Sequence, residues 1–203
     1  MPDEHVVEQA VAIHTEVYGM APATISYAPG RIEVLGNHTD YNEGTVLSAA
    51  INMGHCFCMS ASDKPTVSLT AGDIKKTIEF DPSTDEKLEK RVQWANYVKG
   101  VFFNLRDHGV EVAGVNCTFM GSIPMGAGLS SSAALEMATA YALLAYTGQE
   151  VDKIDLAKAG QKAEHDFAGC SCGLLDQFSS IYGVHHGLIH SDFRTLKTYP
   201  VPL

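Results

Sequence analysis

The chain has 203 residues, 45% of them hydrophobic, enough to bury a core in one domain or at most two small ones. Its formal net charge of −10 disfavours nucleic acid and anionic membrane as partners. A nucleotide site stays open, because backbone amides and helix termini bind phosphate without many cationic side chains.

No apolar run approaches the roughly 20 residues that span a bilayer, and the acidic opening MPDEHVVEQA lacks the basic-then-apolar form of a signal peptide. The expected location is therefore the cytoplasm. The cysteines, Cys56, Cys58, Cys117, Cys170 and Cys172, are odd in number and scattered, which suits reduced thiols better than a disulfide framework. Two Cys-x-Cys pairs with histidines nearby raise a zinc reading. Alternation along a strand and small residues in a tight loop explain them more simply, and neither has the Cys-x-x-Cys spacing.

No repeat, low-complexity stretch or linker divides the chain, so one domain is expected throughout. An amphipathic helix over about 4–18 leads to the extended segment TISYAPGRIEVLG and to apolar alternation in GTVLSAAINMGHCFCMS, which predicts strands. TVSLTA and KTIEF predict two more. WANYVKGVFFNLRDHG reads as a helix closed by Gly109, followed by a strand around AGVNCTFMG. A Gly-rich loop then precedes an Ala-rich helix over about 131–146. A further helix over about 152–168 ends at Gly169, a short one starts near Gly173, and GLIHSDF returns to strand. The closing TLKTYPVPL, with two prolines, predicts no further element. Strands and helices in this irregular order predict an α+β sandwich, a sheet packed on helices, rather than a doubly wound sheet.

The strongest chemical signal is GSIPMGAGLSSSAALEMATAYALL, a phosphate-binding loop over 121–134. Gly126 and Gly128 let the main chain approach a ligand, and the following helix offers unpaired amides and the positive end of its dipole. The hydroxyls of Ser130, Ser131 and Ser132 add donors for phosphate oxygens, and one of them suits Mg²⁺. No Gly-Lys-Ser/Thr follows, so this is not a Walker A loop, and Gly-x-Gly-x-x-Gly is absent too. The plainer alternative is a serine N-cap after a flexible turn.

These residues resemble the loop of the GHMP superfamily of sugar and mevalonate kinases. Three more segments resemble galactokinases within it, in compatible order and spacing: GRIEVLGNHTDYNEG (30–44), WANYVKGV from Trp94, and AEHDFAGCSCGLLDQFSS from Ala163. The likeness covers nearly the whole chain. Its implied fold is the GHMP kinase N-terminal domain, similar to domain 2 of ribosomal protein S5, over residues 1–203, with the galactokinase signature at about 22–50. The C-terminal domain of galactokinases, with its second Gly-rich motif, is missing. The polypeptide is thus expected to be a truncation, fragment or engineered domain that binds ligands weakly and turns over little by itself.

The resemblance implies ATP-dependent phosphorylation of the anomeric hydroxyl of galactose, with Mg²⁺ and ATP required. It implies that Asp176 is the base or orienter of the sugar hydroxyl and that Arg31 sits beside the reacting atom. Taken alone, Arg31 and Asp40, close in sequence, read as a structural ion pair, and Asp176 as a charge favouring a helix N-terminus. Asn37, His38, Asp40 and Gly173 fall on the sugar-binding positions. Glu164, otherwise a solvated helix charge, becomes a Mg²⁺ ligand with Ser132, and Trp94, otherwise core, packs near the adenine.

One departure bears on substrate. Glu33 stands where the family has Asn, and Asn37 where it has a sugar-contacting Glu. A pair of facing side chains would survive that exchange with its hydrogen bond intact. An amide both donates and accepts, however, which favours a different hydroxyl pattern. The alternatives are thus a kinase for another sugar, such as an N-acetylhexosamine or uronic acid, and a non-catalytic galactose/ATP sensor.

Overall fold

The computed structural model describes residues 2–203. Helix α1 (Glu4–Tyr18) starts where the Asp3 carboxylate accepts the Val6 N–H and stops at Gly19, in the left-handed region with φ 71°. The strands are β1 (Thr24–Leu35), β2 (Thr45–Ala61), β3 (Val67–Ala71), β4 (Lys76–Phe80), β5 (Val115–Gly121), β6 (Gly187–Asp192) and β7 (Lys197–Pro202). They form one sheet in the order β4-β3-β5-β2-β6-β7, with β1 on the other side of β2. Long β2 organises it: its Thr45–Ser48 end pairs with β6 and its His55–Ala61 end with β5. Only β3 and β5 are parallel, so the sheet is not doubly wound.

Strand alternation then decides the layers. Cys56 and Cys58 face α1, packing with Val6 and Ala10. Phe57 and Met59 face the larger core beneath α2 (Ala95–Leu105), α3 (Ser131–Thr147), α4 (Lys153–Lys162) and α5 (Leu175–Tyr182). On the α1 side, fully buried His14 bridges the hydroxyls of Ser60 on β2 (2.9 Å) and Thr118 on β5 (3.1 Å). Alanines give α3 its place: Ala133, Ala134, Ala138, Ala140 and Ala142 are buried, so its backbone lies close to β1 and β2. No described helix is long and apolar enough to cross a membrane.

Two segments differ from the sequence reading. The helix expected over 152–168 keeps α geometry only to Lys162. Residues Ala163–Ala168 wind as a π-turn, closed by Gly169 at φ 75°. A π-turn widens the helix, a form frequent at functional sites, and here Ala163, Glu164, Phe167 and Ala168 are all buried. The second is TLKTYPVPL, which continues as β7 through both prolines. β7 pairs only with β6, and Pro200 and Pro202 lie two residues apart, so their missing N–H groups fall on the same, unpaired edge.

Candidate active site

Between β5 and α3 the chain forms the Gly-rich loop. Gly126 and Gly128 have φ of 71° and 69°, and a Cβ at either would meet nothing within 4 Å. Glycine is needed there for the dihedral, not for room. Ser130 adopts the same region, φ 57° and ψ 49°, a conformation that costs a non-glycine residue roughly 1–2 kcal/mol. Its hydroxyl is buried without a partner and makes no capping bond. A plain serine cap therefore does not describe this turn. The strain is held against a buried hydroxyl that has nothing of the protein to bond.

This loop walls a cavity of about 590 Å³. Arg31, Trp94 and Asp176 line it with Gly126, Gly128 and the three serines, so eight of the expected site residues meet at one opening. Arg31 ties the parts together. Its Nη2 lies 2.6 Å from Asp176 Oδ1, its Nη1 donates to Gly128 O at 2.7 Å, and its backbone N–H donates to Leu129 O at 3.2 Å. β1, the loop and the first turn of α5 are thus fixed by one guanidinium. At 15% and 25% exposure, the two charged side chains are partly withdrawn from water yet reachable from the cavity. Trp94 stands in the wall and packs on Phe119 at 5.7 Å between ring centroids, so it is both cavity lining and core edge.

Asn37, His38, Asp40 and Gly173 do not line this cavity. They belong to the turn after β1 and to the loop it touches. His38, at φ 61°, holds its Nδ1 2.6 Å from the Tyr41 hydroxyl. Asp40 Oδ2 accepts the Leu175 N–H at 3.2 Å, holding the start of the helix whose first turn carries Asp176. A Cβ on Gly173 would overlap the Asp40 carboxylate, so that contact requires glycine. Asn37 is exposed, whereas Glu33 sits on β1 across from Ser48. No hydrogen bond joins them among the described residues, because the Gly36 turn separates strand from loop. The exchange of Asn and Glu therefore preserves no hydrogen bond between these two side chains.

Glu164 does not line the cavity; it is buried in the π-turn. Beside it is a residue the sequence reading missed, Glu136, fully buried on α3, whose carboxylate accepts the Gln177 Nε2–H at 3.0 Å. Burial, reinforced by the neighbouring Glu164, pushes the Glu136 carboxyl well above the usual range. Each glutamate keeps one buried oxygen without a partner. A free, hard oxygen on Glu164 fits an oxygen-preferring cation such as Mg²⁺, and the Ser132 hydroxyl is available in the cavity. The described residues contain no group of three or more His, Cys, Asp or Glu arranged to hold a metal without such help. His55 and Tyr97 also line the cavity and were missed. Glu136 left a signal, a lone acid inside an otherwise apolar helix. His55 left none beyond strand alternation.

Known proteins resemble this chain in sequence and in fold. Residues 12–61 match the family described as the galactokinase galactose-binding signature, and residues 96–184 match the GHMP kinases N terminal domain. The chain is 41% identical over 176 residues to the galactokinase of Thermotoga petrophila, covering 87% of this chain and 48% of the relative. It is 34% identical over 197 residues to that of Pasteurella multocida, covering 97% and 51%. The chain thus spans about half the length of the curated relatives it matches. Among solved structures, Lactococcus lactis galactokinase complexed with galactose superposes with TM-score 0.88 at 36% identity, over 97% of this chain and 52% of that one. Methanococcus jannaschii mevalonate kinase superposes at 0.74 over 89% and 56%, and at 18% identity speaks for the fold alone. The chain is thus similar to the GHMP kinases over residues 96–184, and what it matches among them is the N-terminal half of the galactokinases.

Proposed function

We propose that this chain supplies the phosphate loop and catalytic pair of a cytoplasmic galactokinase, which transfers the γ-phosphoryl group of ATP to the anomeric hydroxyl of galactose and yields galactose 1-phosphate. The observation that carries the reading is the Arg31–Asp176 pair, 2.6 Å apart and opening on the same cavity as the serine-rich helix start.

In this mechanism the amides and hydroxyls at the start of α3 bind phosphate oxygens, aided by the helix dipole. Asp176 accepts, or aligns, the proton of the sugar hydroxyl, and Arg31 holds that carboxylate in place while offering positive charge to the transferring group. Little covalent chemistry is asked of the protein, since phosphoryl transfer depends mainly on alignment and charge stabilisation. Asp40, His38 and Asn37 are assigned to the remaining sugar hydroxyls, with Gly173 giving Asp40 its room. Trp94 is assigned to the adenine side. Ser132 and Glu164 would hold Mg²⁺, which neutralises phosphate charge when bound.

A second reading rests on Asn37. An amide at a sugar-contacting position suits a donor-and-acceptor pattern that a carboxylate does not, so a different hexose is the competing substrate.

The test is ADP release with galactose, Mg²⁺ and ATP, on this chain and on one extended to the length of its relatives. Asp176→Asn in the active form should leave ATP affinity nearly unchanged and lower kcat by 100-fold or more, on the order of what proton-transfer groups contribute. Near-normal turnover removes Asp176 from the chemistry. A panel of N-acetylhexosamines and uronic acids decides the sugar, and nucleotide binding without turnover on any sugar would replace the kinase reading with a sensor.

A further inference from the structure

We propose that His55 is a positioning residue of the phosphate loop, donating from Nε2 to Ser131 Oγ and so directing the serine's own proton to the phosphate of a bound nucleotide. The inference rests on the reading of the cavity as a nucleotide site.

Three features place the imidazole. It sits on β2 with Nε2 2.8 Å from Ser131 Oγ, in the first turn of α3. Its ring leans over Gly121, its partner across the β2–β5 ladder, and a Cβ there would come 2.5 Å from Nδ1. Phe119 supports it edge-on, 6.0 Å between ring centroids. Only a glycine at position 121 leaves space for this ring, so the strand pair is built around the histidine.

The proton on the ring can then be assigned. Burial lowers His55 to about 4, so the imidazole is neutral near pH 7 and carries one N–H. Nε2 has a partner, whereas Nδ1 is buried with none. Placing the proton on Nδ1 would orphan a buried donor. Placing it on Nε2 leaves only an unused acceptor, the less costly defect. Ser131 Oγ therefore accepts from His55, and its O–H must find another acceptor. Ser131 and His55 both line the cavity, and a phosphate group is rich in acceptors.

Binding of ATP with Mg²⁺, and separately of adenosine, can be followed through Trp94, the chain's only tryptophan, in the wall of the same cavity. His55→Leu should weaken ATP about tenfold, the size of one lost hydrogen bond, and leave adenosine unchanged. His55→Gln, whose amide reaches the Nε2 position, should restore most of the loss. Gly121→Ala, which displaces the ring without removing it, should reproduce the loss. In a Ser131→Ala background, His55→Leu should cost nothing more. Equal loss for adenosine and ATP, no rescue by Gln, or an undiminished effect without the Ser131 hydroxyl would each overturn the proposal. A folded parent chain that binds adenosine but shows no gain for ATP would instead overturn the nucleotide reading and this inference with it.

Discussion

Acidification should weaken the fold through His14, by an amount the structure sets. Its imidazole is fully buried between α1 and the sheet, bonded only to the hydroxyls of Ser60 and Thr118, with the Tyr18 ring 5.0 Å away. No carboxylate bonds it to stabilise the protonated ring, and burial lowers its pKa from the ordinary 6.5 to about 4. Between those values the unfolded chain binds a proton that the folded chain refuses. Stability from this group is complete above pH 6.5 and falls as pH drops, by about 1.4 kcal/mol per unit. At pH 5 the loss is about 2 kcal/mol, a large share of the roughly 5–15 kcal/mol that holds a domain together.

His55 titrates over the same window with the same sign, whereas the raised Glu136 carboxyl acts oppositely, its contribution being present at low pH and lost as pH rises. The absolute profile mixes these, so the informative quantity is the difference between parent and His14→Gln. Urea denaturation followed by circular dichroism at pH 7.5, 6, 5 and 4.5 would measure it. The parent should lose about 2 kcal/mol more than the variant between pH 7.5 and 5. Parallel curves would refute the claim that the folded state excludes a proton at His14.

Two glycines make further predictions, of opposite kinds. Gly173→Ala should lower thermal stability only modestly, by about 1 kcal/mol, because the atoms in its way are the end of the flexible Asp40 side chain, which can swing aside at the cost of its bond to the Leu175 N–H. In the proposed galactokinase it should instead raise the galactose KM with little effect on that for ATP, and an unchanged galactose KM would overturn the assignment of Asp40 to the sugar. Gly100→Ala would place a methyl 2.6 Å from Ala163 Cβ and 2.8 Å from its Cα, where α2 meets the π-turn. Alanine's helix propensity favours the change by about 1 kcal/mol, and the overlap costs about 1–3, so a net loss of stability is expected by thermal melting. A clear rise in melting temperature would show that the two helices have slack.

Local sequence carried much of this architecture because the signals are themselves local. α1 and α3 run over nearly the residues that their amphipathic and Ala-rich patterns predict, and alternation located β2 and β5. β7 escaped because a proline's meaning in a strand depends on which neighbour the strand has, and that is decided by a distant pairing with β6. The π-turn escaped for a related reason: it differs from a helix by one residue's winding, held in place by α2 packed across it.

The candidate site divides along the same line. The loop glycines and three serines were legible as a short run with its own chemistry, whereas Arg31 and Asp176 stood out only through the resemblance of their segments to galactokinases. That Arg31 grips Gly128 O and Asp176 at once was decided by bringing together residues 97 and 145 positions apart in sequence. The buried Glu136 beside Glu164, and His55 beside Ser131, exist only where α3 packs against α4, the helix that runs into the π-turn, and against β2. Spacing in the sequence determined an anion-binding loop at a helix start, and the resemblance of whole segments supplied the rest of the expected chemistry. Packing alone decided which groups share a wall and which polar atoms were left without partners, because those are properties of contacts between segments that the order of residues does not place side by side.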